Sequence, residues 1–152
     1  MLRVAIGVSC LGARSMEMPE KNYHLYNALT NHQKSFFLVE FLALEISYEQ
    51  SFCAAVFPIN DLYFGPDGTF SNGLLSTIMD ITMAHWAKNK TGSAGVTIEL
   101  NTKYLAPLVK GTARCEARFL GSETCNRFME AKIWNEYNCL MACSTATWSV
   151  EN

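Results

Sequence analysis

Between Ser71 and Lys88 the chain reads SNGLLSTIMDITMAHWAK, a run with helical periodicity in which Asp80 is the only residue between Leu74 and Ala87 that must be ionised. At 100° per residue, Leu74, Leu75, Ile78, Met79, Thr82, Met83 and Trp86 form one stripe over half the circumference, and Asp80 falls nearly opposite its centre. The remaining face is Ser76, Thr77, Ala84 and Ala87, all small and uncharged. A helix with one face in water normally carries Lys, Glu, Arg or Gln there. Both faces are therefore expected to be covered. One sheet from a chain of 152 residues wraps a single side, so the second cover is expected to be another copy of the chain. Asp80 then lies at or near a subunit interface, where a carboxylate is costly unless it is paired or used. The plain alternative is an Asp that points to solvent or caps a neighbouring loop.

The helix follows a turn-rich loop, INDLYFGPDGTFSNG, and either Ser71 or Asn72 can cap it. It stops around Lys88 to Gly92, where cations favour the dipole's C-terminal end and Gly92 can adopt a left-handed conformation. Upstream, Pro19 to about Gln33 reads as an amphipathic helix, and 40–48 and 51–58 read as antiparallel strands divided at Ser47 to Gln50. Ser35 to Leu44 reads equally well as helix. Downstream, Val96 to Asn101 alternates with period two. This puts Val96, Ile98 and Leu100 on one side and Thr97, Glu99 and Asn101 on the other. Strands are expected at 112–120, 127–135 and 140–150, with Ala142, Ala146, Trp148 and Val150 on one face of the last. One long apolar helix with five or six antiparallel strands makes an α+β domain whose sheet wraps the helix.

Size and charge exclude several classes. A chain of this length buries roughly two thirds of its unfolded surface and needs no metal or disulfide staple. The net charge is -2 with Lys and Arg scattered singly, so no basic stripe exists to follow a phosphate backbone. The six cysteines, at 10, 53, 115, 125, 139 and 143, form no CxxC pair and mostly sit in apolar runs, as buried reduced thiols do. Cys139 and Cys143 can meet on one strand face, but two sulfurs without His make a poor zinc site. There is no GxSxG elbow, Walker loop or HExxH.

The opening MLRVAIGVSCLGA resembles a charged n-region and an apolar h-region too short to cross a bilayer; an extension ahead of a start near Met16 or Met18 fits as well. The expected organisation is an extension over 1–18 and a single domain over 19–152. The cysteine usage points to the cytoplasm.

The start of the helix offers unpaired amides near Asn72 and Gly73 that suit an anion or a developing oxyanion. A carboxylate able to order a water stands two turns on. Those are the components that acyl hydrolysis needs.

The segments GTFSNGLLSTIMDITMAHWAK and AGVTIELNTKYLAPLVKG, followed by three strands, resemble the PaaI-like hotdog-fold acyl-CoA thioesterases over roughly Asn60 to Val150. In that family a His-Gly-Gly motif opens the central helix, and a catalytic acid follows its second Gly by seven positions. Gly73 matches the second Gly and Asp80 the acid. Thr97 matches a hydroxyl position, and Tyr104, Leu105, Pro107 and Gly111 the strand and turn that follow. His-Gly-Gly has become Ser71-Asn72-Gly73, so the Asn72 amide remains while its side chain can crowd the approach that Gly permits. The family's loop asparagine has Asn60 as its nearest counterpart, several residues early.

The resemblance implies a hotdog fold, edge-to-edge dimers that can pair into tetramers, and a site between subunits. Asp80 would activate water or attack directly at a thioester carbonyl held by the Asn72 and Gly73 amides, assisted by Thr97 of the partner chain. Ser71, Ser76, Thr77, Val96 and Lys103 complete the expected substrate and coenzyme A contacts. Ser76 and Thr77 are placed to bond Asp80, line an acyl tunnel or pack on the partner. Lys103, Lys110 and Arg127 could meet coenzyme A phosphates, though solvated positions are their default. The resemblance implies no metal, redox cofactor, nucleic acid or membrane. His85, five residues after Asp80, lies on another side of the helix and is expected to be a satisfied core or interface histidine. A hotdog protein that binds acyl-CoA without hydrolysing it, as a sensor or scaffold, is the rival reading, favoured by the missing His-Gly. A hydratase or dehydratase would pair Asp or Asn with a His that SNGLLSTIMD does not supply.

Overall fold

The computed structural model describes residues 37–121 and 128–149. The chain divides into two compact units, residues 1–42 and 43–152. Of the first, the described part holds a short helix α1 (Phe37–Phe41), on which the Phe37 and Phe41 rings stack with centroids 5.4 Å apart. Helix therefore prevails over strand at 37–41, while the helix read at 19–33 and the boundary near residue 18 lie outside the described residues.

The second unit contains strands β1 (Glu45–Tyr48), β2 (Cys53–Pro58), β3 (Val96–Tyr104), β4 (Thr112–Phe119), β5 (Phe128–Asn135) and β6 (Leu140–Ser149), with helix α2 (Asn72–Thr91) between β2 and β3. They form one antiparallel sheet in the order β1-β2-β4-β5-β6-β3, so the strand following the helix closes the far edge. Four strand ranges agree with the sequence reading to within about two residues. β3 runs three residues further than its alternating segment.

The sheet wraps α2 because its inner face is built from small side chains. Ala55, Ala113, Cys115, Ala117, Ala131, Ala142, Ser144 and Ala146 are all buried, and the register sets them side by side across β2, β4, β5 and β6. Small residues let the strands approach the helix closely. The volume is filled from the helix side by Leu75, Ile78, Met79, Met83 and Trp86, each fully or nearly fully buried. Burial of each such side chain stabilises the fold by about 1.5–3 kcal/mol. Outward positions are charged and paired: Glu130 on β5 accepts from Arg118 Nε of β4 at 2.6 Å and pairs with Lys132 on its own strand at 3.1 Å.

Two glycines hold the ends of this arrangement. Gly92 caps α2 with φ 82° and donates to Lys88 O at 2.9 Å. At Gly95, φ is 67°, and a Cβ there would collide with the Trp148 indole. Trp148 Nε1 donates to Ala94 O at 2.8 Å, fastening the turn between α2 and β3 to β6.

Candidate active site

Asp80 is half-buried on the side of α2 that faces β3, and its Oδ1 accepts a hydrogen bond from Thr97 Oγ1 at 2.6 Å. Strict alternation along β3 would have grouped Thr97 with Glu99 and Asn101. The strand instead bulges between Thr97 and Glu99: Thr97 pairs with Trp148 while Glu99 pairs with Thr147. The extra residue, Ile98, absorbs one step of the alternation. Thr97, Leu100, Thr102 and Tyr104 therefore share the face of the buried Trp148, Ala146, Ser144 and Ala142, whereas Glu99 and Asn101 lie on the outer face. The bulge aims Thr97 at the carboxylate. The bond forms within one chain, so Thr97 and Asp80 belong to the same half of any site shared between copies.

A second link between α2 and β3 lies one turn before Asp80. Ser76 Oγ hydrogen-bonds the Tyr104 hydroxyl and donates to Thr102 Oγ1 at 3.4 Å; Thr102 in turn bonds Ser144 Oγ at 2.5 Å. Part of the cover expected from a second copy is thus supplied by the chain's own edge strand. Thr77 bonds Gly73 O at 3.0 Å, so neither Ser76 nor Thr77 bonds Asp80. Val96 and Lys103 sit exposed on the outer side of β3, away from Asp80.

Ser71 occupies the N-cap position of α2 but makes no side-chain capping bond; its own N–H donates to Tyr63 O at 2.9 Å. The first intrahelical bond is Leu75 N to Ser71 O at 3.1 Å, which leaves the amides of Asn72, Gly73 and Leu74 without an i−4 acceptor. Asn72 and Gly73 are exposed, and a Cβ at Gly73 would meet only Ser71 Oγ, at 3.7 Å. Glycine in the first turn is therefore not required by this chain's own packing. Beside it opens a cleft of about 240 Å³ lined by Asp67, Thr69, Asn72, Tyr104, Leu105 and Pro107. Asp67 accepts from the Thr69 hydroxyl at 2.8 Å and its amide at 3.3 Å, and these bonds hold its carboxyl below the ordinary range. Asn60 spends its side chain capping the 3₁₀ turn Asp61–Tyr63 by accepting from Leu62 N at 3.0 Å.

Eight positions separate Asn72 from Asp80, which along a helix is about 12 Å. A carboxylate acting through one water reaches a carbonyl carbon roughly 6–7 Å away. With about 4 Å more from an amide nitrogen through the carbonyl oxygen to that carbon, the full reach is about 10–11 Å, so the chain joins Asp80 to Thr97 and sets the Asn72 amide at the limit of that reach. Nothing local in the sequence marks Tyr104 and Thr102 as site residues, since the bulge that turns them toward Ser76 leaves no local signature.

His85 takes no part in this cluster: its Nδ1 lies 2.8 Å from the Tyr48 hydroxyl. Burial, with Lys88 nearby, holds the imidazole below its ordinary pKa. Cys53 and Cys115 are fully buried free thiols, and burial pushes both up to about 12. Cys139 is exposed, on the turn before β6, and Cys143 is only half-buried, departing from the pattern of buried thiols. Among the described residues no three His, Cys, Asp or Glu groups converge as metal ligands, and no helix is long and apolar enough to cross a membrane.

Residues 67–139 match the family described as the Thioesterase superfamily, a span that includes Asn72, Gly73, Asp80 and Thr97. No curated protein matches the chain. Among solved structures, the E. coli PaaI protein from the phenylacetic acid degradation operon is similar at 17% identity with a TM-score of 0.64, over 88% of this chain and 100% of that one. A Bacillus halodurans protein solved with CoA is similar at 20% identity and TM-score 0.69, over 85% of this chain and 87% of that one. A thioesterase from Haemophilus influenzae aligns at 21% identity and TM-score 0.64, over 81% and 88%. The resemblance to the PaaI-like thioesterases therefore holds: this chain has the hotdog fold, and its segment 67–139 matches the thioesterase superfamily.

Proposed function

We propose that the protein hydrolyses acyl-CoA or related acyl thioesters at a site shared by two copies of the chain. The observation that carries the reading is the half-buried Asp80 carboxylate, fixed by Thr97 and set two helical turns from unpaired helix-start amides. In one copy the Asn72 and Gly73 N–H groups hold the thioester oxygen; in the other, Asp80 orients a water. Asp80 accepts the water's proton as the hydroxide oxygen bonds to the carbonyl carbon, and charge develops on an oxygen facing amide donors. The intermediate then expels the thiolate, which takes up the proton, giving free acid and thiol. Thr97 keeps one carboxylate oxygen occupied, so the other is presented to the water. Water, carboxylate and amides suffice without a metal or redox cofactor.

Two features support a second copy. Among the described residues β3 is a nine-residue terminal strand whose outer edge pairs with no other strand, and Val96 and Ile98 on it are 62% and 67% exposed. A bare edge of that length is a pairing template. Gly73 is a poor helix former, and among the described residues no packing contact requires it, as fits a position reserved for close approach from outside.

The reading of a binder that does not hydrolyse draws on Asn72, whose side chain stands where the family carries Gly. Incubation with a panel of acyl-CoAs, followed by measuring free thiol, separates the two: saturable release supports hydrolysis, and saturable binding without release supports the binder.

A further inference from the structure

Four hydroxyls beside the Asp80 pair have no part in the reaction as written. Tyr104 and Thr102 on β3, Ser76 on α2 and Ser144 on β6 form one connected chain of hydrogen bonds. Each hydroxyl has a single proton to give. With Ser76 donating to Thr102, Tyr104 must donate to Ser76, and one of Thr102 and Ser144 donates to the other. The chain runs unbroken from Tyr104, 41% exposed at the cleft, to Ser144, 2% exposed under the helix. Three of its four protons are spent inside the protein, so it has little to offer a ligand.

Its placement gives it another use. Among the described residues of one chain β3 is an edge strand held by β6 alone, and it bulges at Ile98, between Thr97 and the rest of the strand. A strand beyond a bulge is free to twist, and a slip of one residue would turn Thr97 away from Asp80. Ser76 is one helical turn before Asp80 on the same face, so its bonds to Thr102 and Tyr104 fix the strand against the helix on the far side of the bulge. We propose that Ser76, with Thr102 and Tyr104, is a positioning residue for the Asp80–Thr97 pair: it sets where β3 lies along α2 and so delivers the Thr97 hydroxyl to the carboxylate. The inference rests on the reading that this pair acts on the thioester.

The test is a double-mutant cycle on acyl-CoA hydrolysis. Ser76→Ala introduces a good helix former at a half-buried position, so the variant folds. Acting through Thr97, it lowers kcat about five- to tenfold with KM within about twofold in the native background, and less than about twofold once Thr97→Val is present. Thr102→Val gives the same pattern. Equal losses in both backgrounds, or no loss in either, overturn the inference. Asp80→Asn distinguishes the two levels: if it stays active, the reading of the site fails and takes this inference with it. If it is inactive while Ser76→Ala costs the same with and without Thr97, the positioning role alone is wrong.

Discussion

Thr97 Oγ1 lies 2.6 Å from Asp80 Oδ1, across the seam between the central helix and the edge strand of the same sheet. A side chain of one element thus fixes the carboxylate of another. Thr97→Ser keeps the hydroxyl and is expected to retain kcat to within about threefold, whereas Thr97→Val is expected to lower it by about ten- to a hundredfold, part of what a positioned proton acceptor contributes. Steady-state thiol release from the two variants is the measurement.

Asn72 is the first helical residue, and Ser71 before it is already extended at φ -56° and ψ 124°, a geometry that proline tolerates in its neighbour. Asn72→Pro therefore removes one amide donor without breaking the helix. It is expected to lower kcat by about a hundred- to a thousandfold, with circular dichroism unchanged.

The same variant tests whether two copies share the site. Mixed and reassociated Asn72→Pro and Asp80→Asn chains give half heterodimers, each with one site carrying both intact halves. About a quarter of native activity is expected to return. A site complete within one chain returns none.

How far the sequence foretold this can be judged at particular residues. The stripe from Leu75 to Trp86, the stop at Gly92 and the last four strands were legible, because each rests on local periodicity or on a turn residue of required geometry. That the second face calls for cover was legible, but the part of the cover that β3 supplies was not: the Ser76 and Asp80 bonds join residues 17 to 28 positions apart. The bulge at Ile98 was invisible because one inserted residue reverses the apparent faces without altering the pattern that precedes it. Alternating alanines in β4 and β6 recorded the wrapped sheet, a signal of small size rather than of hydrophobicity.

His85 gives the stability a pH dependence of definite sign. Its folded pKa lies below the ordinary 6.5 because of burial and Lys88, so the unfolded chain binds the proton more readily. Stability is therefore present above about pH 6.5 and is lost as pH falls through the folded value. Protonation also leaves Nδ1 able only to donate to the Tyr48 hydroxyl 2.8 Å away. Melting temperatures of His85→Gln are expected to fall less steeply than native from pH 7 to 5.

The thiols should divide by burial. Cys53 and Cys115, fully buried and pushed up to about 12, are expected to resist alkylation at pH 8 until the protein unfolds, whereas Cys139 reacts in the native state. Peptide-resolved mass spectrometry after iodoacetamide treatment reads the order.

Asp80→Asn is the most direct test, since it keeps the shape of the side chain and its bond to Thr97 while removing the base. With the acyl-CoA that the native protein turns over best, the account predicts that thiol release falls by at least about a hundredfold while the variant still binds the substrate and melts as the native protein does. Release at the native rate from a folded Asp80→Asn protein would contradict it.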